Sequence, residues 1–300
     1  MKLPIATLRL ALPLALCLAA CSSVPKVTSF AAPAEPEGRP RGETLVAVTA
    51  SQQLLRFDAG TPGTIASRAP IAGLEEGDGL VGIGWRAARR ELIALGSRGR
   101  LYVVDAASAK AAQILPPDGS TIPLHGNEFG FDVDSRTGRV RVVSDQGMNL
   151  RISPETGQAI DGDPQSEGLQ PDGALRYPTG DENEGYPPRL LAIASSAAGV
   201  TYGIDTRHGT LVTLGSGPGD AASGSPNAGR VHTVGSIGIG QVERIAFDIS
   251  AATGAAYAAF TPGDAKQSRL YLIDLTNGRA TFLGSIAAAE PIRALAVLPK

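Results

Sequence analysis

Residues 242–284 read VERIAFDISAATGAAYAAFTPGDAKQSRLYLIDLTNGRATFLG. The segment holds four short apolar runs, VERIAFDI, AAYAAF, RLYLID and RATFLG, separated by Gly, Asp, Asn or Pro. Runs of this length between turn residues are typical of β-strands. Many are apolar throughout rather than alternating, which predicts a sheet whose two faces are both covered. The segment therefore predicts one small sheet of four strands that follow one another through tight turns.

The same unit recurs along the chain, as in repeat proteins. Residues 81–115 carry a copy in the runs VGIGW, ELIALG, RLYVVD and QIL, and residues 129–157 carry another. A looser copy spans residues 190–235 and contains a loop rich in Gly, Ser and Pro at residues 215–229. Radial repetition of one small sheet indicates a β-propeller.

The two ends of the folded part hold incomplete units. The first unit, LVAV, LLRFD and TIASRAPI, lacks its first strand, and the last segment, Ile292–Leu298, is a first strand without a unit. Joined, they make a fifth copy, and closure removes the exposed strand edges that invite aggregation. We predict an all-β fold, a five-bladed β-propeller closed by the pairing of the C-terminal strand with the N-terminal blade.

Five turns share one pattern, in which Asp or Ser is followed by three residues and Gly. The side-chain oxygen of the first residue accepts from backbone N–H groups of the turn, and the glycine supplies the left-handed conformation. We interpret these turns as hairpin connections, and a direct role in binding is the alternative. They are Asp134–Gly138, Ser153–Gly157, Asp205–Gly209, Ser250–Gly254 and Asp274–Gly278.

The central copy carries a long motif. Gly-Phe-Asp-Val-Asp begins at Gly130 and is followed by Arg-Val-Arg-Val-Val-Ser-Asp and Asn-Leu-Arg-Ile-Ser-Pro-Glu-Thr-Gly. It resembles the hallmark of a bacterial family, domain of unknown function 4394, although Asp134-Ser135 stands where the family has Asn-Pro. The resemblance covers about residues 44 to 298; it implies the propeller fold and brings no activity or catalytic residues. Further segments that resemble the family are Glu91–Ser97, Arg100–Tyr102, Asp172–Leu175, Tyr177 and Gly180-Asp181.

The N-terminal residues have the pattern of a bacterial signal peptide. Lys2 and Arg9 are cationic, and the apolar stretch Leu10–Ala20 is too short to span a bilayer comfortably. Leu18-Ala19-Ala20-Cys21 resembles a lipobox, in which the signal is cut before a cysteine that receives lipid. An ordinary secretory signal with an incidental cysteine is the alternative. We predict a lipoprotein signal peptide over residues 1–20, lipid attachment at Cys21, a flexible tether over 21–43 and a propeller domain over 44–300.

Residues close to Cys21 predict the location of the protein. Ser22 follows the cysteine, and by resemblance to the sorting rules of Gram-negative bacteria a residue other than Asp there predicts the outer membrane. The tether is rich in Pro, Ala and Ser, which is typical of an extended linker. Because Cys17 would leave with the signal, the folded part holds no thiol for a disulfide, a metal or a nucleophile.

Charge and histidine spacing exclude several classes of function. The 27 basic and 29 acidic residues nearly balance, so we predict no nucleic-acid partner. His125, His208 and His232 lie far apart, without the spacing of a zinc site. We expect His208, inside a turn, to be exposed. We therefore predict no metal site and no catalytic residue.

The segment Asp161–Pro188 is long for a loop and lacks a strand pattern. Long loops on rigid scaffolds are often functional. Its carboxylates, with few cations among them, could bind calcium or a basic partner, and a solvated lid is the alternative. The candidate ligand-binding residues are Asp161, Asp163, Asp172, Asp181, Glu182 and Tyr186.

These observations favour a non-catalytic binding or scaffold propeller. It would be held to the membrane by its lipid and bind an envelope protein or a small molecule, without a cofactor. The alternative is a calcium-dependent, hydrolase-like propeller enzyme with carboxylates in the central channel. Asp132 and Asp248 end equivalent innermost strands, but the other blades carry no acid there, and we expect these two to cap the turns that follow. A structural envelope component without a ligand is a third hypothesis.

Overall fold

The computed structural model of this chain describes residues 42–217, 224–240, 242–263 and 265–299. The predicted signal peptide, the lipid-attachment residue Cys21 and the tether as far as residue 41 lie outside the described residues. Within these ranges, no helix has the length and apolar character needed to cross a lipid bilayer.

Short β-strands make up nearly all regular structure of the described residues. The strands, numbered in chain order, are β1 (Thr44–Thr49), β2 (Gln53–Asp58), β3 (Ile65–Pro70), β4 (Leu80–Arg86), β5 (Glu91–Gly96), β6 (Leu101–Val104), β7 (Ala111–Ile114), β8 (Phe129–Val133), β9 (Val140–Ser144), β10 (Asn149–Ile152), β11 (Ala159–Ile160), β12 (Leu190–Ser195), β13 (Thr201–Asp205), β14 (Thr210–Leu214), β15 (Val231–Ser236), β16 (Val242–Ile249), β17 (Ala256–Pro262), β18 (Arg269–Ile273), β19 (Ala280–Ser285) and β20 (Ile292–Leu298). A single 3-10 turn, Pro226–Ala228, precedes β15.

The strands pair into five antiparallel sheets of four strands, which confirms the predicted five-bladed propeller. Blades 2 to 5 use consecutive strands, β4–β7, β8–β11, β12–β15 and β16–β19, while blade 1 has the order β20-β1-β2-β3. The innermost strands β20, β4, β8, β12 and β16 contact one another in a ring. This ring surrounds the central channel.

The C-terminal strand closes the ring as predicted. β20 pairs antiparallel with β1, from Thr44 opposite Leu298 to Val48 opposite Ala294. It also contacts β16 of blade 5 and β4 of blade 2. The first blade therefore receives its innermost strand from the other end of the described chain, and β1 is paired on both of its edges.

The hydrophobic core lies between neighbouring blades. Phe57 of blade 1, Tyr257 of blade 5 and Leu295 of β20 are buried in one cluster. The middle strand β9 is buried throughout, whereas the outermost strand β3 is mostly exposed. Because each inner strand is covered on both faces, its sequence is a continuous apolar run rather than an alternating one.

Small residues recur where the innermost strands approach one another. A Cβ atom on Gly82 would lie 2.4 Å from Cβ of Phe131, and one on Gly130 would lie 3.1 Å from the backbone N of Ala192. Distances this short exclude a larger side chain unless the neighbouring strand moves. The glycines thus permit the close packing that five strands around one axis require.

The repeated turns are hairpin connections, as interpreted from the sequence. In the β8–β9 turn, N–H of Gly138 donates to the carbonyl of Asp134 over 2.7 Å, and Oδ1 of Asp134 accepts from N–H of Arg136 over 2.8 Å. Gly138 has a φ of 69°, which favours glycine. The turn that begins at Ser153 repeats the backbone bond, with N–H of Gly157 donating to the Ser153 carbonyl over 2.8 Å.

The closing strand supports a prediction about stability. Leu295 is 2% exposed in the cluster between blades 1 and 5. We expect Leu295→Ala to lower the free energy of unfolding by about 2–5 kcal/mol, because it leaves a cavity at the closure. Denaturant-induced unfolding followed by circular dichroism measures the loss.

Leu115→Ala is the matched control, because Leu115 is 74% exposed just after β7. It should change stability by no more than about 0.5 kcal/mol. Similar losses in both variants would contradict the docking of β20 into the first blade.

Candidate functional site

The acidic loop of residues 161–188 runs from the end of blade 3 to the start of blade 4 and forms no strand. Three polar side chains, Asp172, Tyr177 and Asp181, attach it to the propeller. Leu175 of the loop is also buried, in a hydrophobic cluster with Val143 and Leu190, so polar and apolar contacts together attach the loop.

Asp172 is the most deeply buried of these attachments. Arg151 holds its carboxylate through two nitrogens, with Nε 2.9 Å from Oδ2 and Nη2 2.8 Å from Oδ1. Nη1 of Arg141 donates to Oδ2 of Asp172 over 3.1 Å. The Asp172 side chain is 1% exposed, so water screens this ion-pair triad poorly. Burial lowers the pKa of Arg141, and the Asp172 charge opposes that effect.

Asp181 and Tyr177 attach the loop to blade 4. Oδ2 of Asp181 accepts from N–H of Thr233 over 2.8 Å, and Oδ1 accepts from the Thr233 hydroxyl over 2.8 Å. The Tyr177 hydroxyl donates to Oδ2 of Asp205 over 2.5 Å. Burial raises the pKa of Tyr177, and the Asp205 carboxylate raises it further. Tyr177 is therefore a neutral donor at physiological pH.

His208 lies between two tyrosines of the loop, so the expectation that it is exposed was wrong. Its ring stands edge-on to Tyr177 at 6.0 Å and to Tyr186 at 5.6 Å between centroids. Nδ1 of His208 lies 3.2 Å from Oδ2 of Asp205. Tyr186 itself is 60% exposed. The sequence analysis did not predict this cluster. One signal for it was present, because His208 lies in the turn that begins at Asp205 and can therefore approach that carboxylate.

The six candidate ligand-binding residues do not converge on one point. Asp172 and Asp181 are engaged in the attachments, and Tyr186 lies beside His208. Oδ1 of Asp161 accepts from N–H of Asp163 over 3.0 Å, Asp163 in turn accepts from the Ser166 hydroxyl over 2.7 Å, and Glu182 is exposed. Among the described residues, no group of three acidic, His or Cys side chains is placed to hold a metal ion. Calcium binding by the loop stays an alternative that the sequence leaves open.

A cleft of about 390 Å³ lies between the acidic loop and the end of blade 3. We call it the apolar cleft. Leu169, 46% exposed, stands at its loop side, and Met148 stands at its blade side. Its volume falls within the range of about 300–1,000 Å³ typical of small-molecule sites. It is lined by Pro123, Met148, Leu150, Leu169, Pro171 and Ala174 together with His125, Gln146, Gly147, Asn149 and Asp172.

Two small cavities lie along the central channel. The two cavities lined by the innermost strands of all five blades measure about 20 Å³ each, room for about one water molecule. Val81, Phe129, Leu191, Ile245 and Arg293 line both of them.

Two aspartates lie in the innermost strands, and the expectation that they cap the following turns was wrong. Oδ2 of Asp248 accepts from N–H of Val297 on the closing strand over 2.6 Å. Asp132 is 5% exposed, and its Oδ2 has no hydrogen-bond partner among the described residues. The turns are capped instead by Asp134 and Ser250, two residues further along the chain.

Burial changes the acidity of both carboxyl groups. It raises the pKa of Asp132 to about 6, and a hydrogen bond from Ser195 partly opposes the effect. It raises the pKa of Asp248 to about 8, and the Asp132 charge adds to this increase. Calcium takes about six to eight oxygen ligands and favours ionised carboxylates. The calcium-dependent enzyme therefore stays the alternative hypothesis at this pair.

A family model described as Domain of unknown function (DUF4394) matches residues 53–296. A search of curated proteins finds no match. Solved structures with a similar fold include one described as the nidogen/laminin complex, which is 10% identical with a TM-score of 0.48 and covers 86% of this chain and 99% of that chain. A protein of unknown function from Bacteroides caccae is 11% identical with a TM-score of 0.43, covering 87% and 100%.

A third structure, virginiamycin B lyase from Staphylococcus aureus, is 9% identical with a TM-score of 0.40 and covers 80% of this chain and 69% of that chain. Similarities this low transfer no function, so none of these names bears on what the chain binds.

The raised pKa of Asp132 predicts the direction of a pH dependence. Between about pH 4 and pH 6 the folded protein keeps a proton that the unfolded chain releases, so the free energy of unfolding falls as the pH rises. Asp132→Asn removes this penalty. At pH 8 we expect the variant to be more stable than the wild type by about 1–3 kcal/mol, at about 1.4 kcal/mol for each pKa unit.

Denaturant-induced unfolding at pH 4.5 and pH 8 measures the effect. Asp163→Asn is the control, because this aspartate is exposed and should not alter the slope above pH 5. A wild-type protein whose stability increases from pH 4.5 to pH 8, or an unchanged slope in Asp132→Asn, would contradict the assignment.

Proposed function

The chain belongs to the family described as Domain of unknown function (DUF4394), and we propose that it is a lipid-anchored, non-catalytic binding protein of the bacterial envelope. Its ligand site is the apolar cleft between the acidic loop and blade 3. The observation that carries the proposal is the volume of this cleft, about 390 Å³, combined with its mainly apolar wall. A concave, largely apolar site with a few polar groups is the usual form of a small-ligand site.

The cleft favours an uncharged ligand. Its titratable lining residues are His125 and Asp172, and the Asp172 carboxylate is already paired with two arginines. An added anion would meet no free cation in this wall, and an added cation would compete with Arg141 and Arg151. Apolar groups gain most here, because Leu169 and Met148 lose water when they are covered.

The attachments of the loop support binding without large rearrangement. Asp172 and Asp181 fix the loop to two different blades. A wall held in place before the ligand arrives reduces the entropy lost on binding. The same contacts explain the length of the loop, because it spans the distance from the end of blade 3 to Thr233 on β15.

The location is proposed from the sequence. Lipid on Cys21 would hold the protein at the outer membrane, and the Pro- and Ala-rich tether would separate the propeller from the bilayer. In the envelope, the ligand of the apolar cleft is either a small molecule or an apolar side chain of another protein. Both present the uncharged apolar group that the cleft favours. The calcium-dependent enzyme and the passive envelope component remain the alternative hypotheses.

Binding in the cleft is tested with a neutral apolar fluorophore, N-phenyl-1-naphthylamine. We expect the purified full-length protein to enhance its fluorescence and Leu169→Asp to raise the dissociation constant at least about tenfold, since a charge replaces an apolar contact. Fluorescence titration measures both values.

Leu115→Asp places the same charge on an exposed leucine outside the cleft and should leave the dissociation constant unchanged. Equal effects of the two substitutions, or no enhancement by the wild type, would overturn the assignment of the cleft. A photoreactive residue at position 169 distinguishes the two sources of ligand in intact cells, because a protein ligand gives one adduct of defined size.

The anchor is tested by metabolic labelling in a Gram-negative host. We expect labelled palmitate on the wild type and none on Cys21→Ala. Ser22→Asp should keep the label and move the protein from the outer-membrane to the inner-membrane fraction on a sucrose gradient. Label retained by Cys21→Ala would show that the lipid is attached to another residue. Absence of label from the wild type would show that no lipid of this kind anchors the protein.

A further inference from the structure

A second cleft, of about 210 Å³, opens between blades 3 and 4, and we call it the basic cleft. The β8–β9 turn forms one side, and residues after β12 together with Ser225–Asn227 form the other. Its charged lining residues are four arginines and one aspartate, namely Arg136, Arg139, Arg141, Arg151 and Asp134. The wall is therefore strongly cationic in a protein whose whole sequence carries a net charge of −2.

Within the described residues, one carboxylate forms ion pairs with arginines of the basic cleft, and it is not among the residues that line this cleft. Asp172 holds Arg141 and Arg151 but lines the apolar cleft instead. The other described partners of Arg141 are neutral, since Nη1 donates to Oδ1 of Asn149 and Nη2 to Oδ1 of Asn227, both over 2.6 Å. Asp132 attracts Arg141 from the neighbouring strand without a hydrogen bond. Arg141 and Arg151 thus line the basic cleft, while Asp172, the carboxylate that they share, does not line it.

The two remaining arginines stand on the rim. Arg136 and Arg139 are exposed, and neither forms an ion pair within the described part of the chain. Oδ1 of Asp134 accepts from backbone N–H groups of Arg136 and Thr137, so this carboxylate serves the turn. Cζ of Arg136 would lie 2.7 Å from a Cβ atom on Gly199. The absence of a side chain at Gly199 lets the guanidinium lie across the gap onto blade 4.

We propose that the basic cleft binds a phosphate-type oxyanion, either free or as the end of a larger ligand. Guanidinium groups match the geometry of phosphate oxygens and form charge-assisted hydrogen bonds with them. Ser195, Thr201 and Asn227 add neutral polar groups to the wall. The volume accommodates an anion with part of its hydration, which suits a site whose rim cations remain in contact with water. This site is separate from the apolar cleft and takes the opposite class of ligand.

Inorganic phosphate titrated into the full-length protein at constant ionic strength tests the proposal. Calorimetry should show saturable binding, and phosphate tenfold above its dissociation constant should raise the melting temperature by about 2–5 °C. The double variant Arg136→Gln/Arg139→Gln should weaken phosphate binding at least about tenfold. It should leave binding of the neutral fluorophore in the apolar cleft unchanged.

Arg89→Gln/Arg90→Gln is the matched control. These two arginines are exposed and belong to the β4–β5 turn, the equivalent turn of blade 2, and the charge change is identical. Phosphate affinity within about twofold of the wild type in this control supports the site. No saturable binding by the wild type, or equal losses in the two double variants, would overturn it. The affinity of phenyl phosphate distinguishes the two sources of the anion. Tighter binding than that of inorganic phosphate indicates a phosphate group at the end of a larger ligand, and equal affinities indicate the free ion.

Discussion

The approach of five innermost strands around one axis is the constraint on which the rest of this structure depends. The strands lie so close that a Cβ atom on Gly82 would clash with the side chain of Phe131, 2.4 Å from its Cβ. Only small residues and tightly interlocked apolar ones satisfy that geometry. The closing strand β20 belongs to the same ring and is held there by its pairing with β1 and by the bond from Val297 to Asp248. The single strand β20 therefore closes the ring in two ways, through backbone pairing with β1 and through packing of its side chains in the core.

The narrow centre favours ligand sites elsewhere on the propeller. Two cavities along the channel each hold about one water molecule, whereas the clefts beside the outer connections are larger. The outer connections are free of the packing constraint, and one of them, the acidic loop, is far longer than the others. This loop is attached by buried polar contacts, among them the triad of Asp172, Arg141 and Arg151, and by the packing of Leu175 and Tyr177 in a hydrophobic cluster with blades 3 and 4. The polar contacts are directional and fix the orientation of the loop, while the apolar contacts add to its stability.

The sequence was sufficient to predict the blades, the repeated turns and the closure, because each depends on local periodicity or on a missing strand at the chain ends. It was insufficient for the site. Asp172 was identified as a candidate ligand residue, but its partners lie on β9 and β10 and no local pattern pairs them. Asp132 and Asp248 were expected in turn caps, and they face the interior because successive residues of a strand point to opposite sides. His208 was expected in solvent, but two tyrosines from the distant loop flank it.

The Asp172 triad also explains why two clefts of opposite character lie close together. Its carboxylate lines the apolar cleft, and the guanidiniums of Arg141 and Arg151 line the basic cleft. In the apolar cleft the negative charge of the Asp172 carboxylate is balanced by two arginines. That wall is therefore polar but carries no unpaired negative charge. The basic cleft is lined by these two arginines and by Arg136 and Arg139, so four guanidiniums share one wall with a single paired carboxylate behind two of them, and the proposed anion would reduce the repulsion among them. Loss of Asp172 would remove the attachment of the loop and the counter-charge of both arginines at once. The two clefts therefore depend on one side chain, although the ligands proposed for them differ in chemistry.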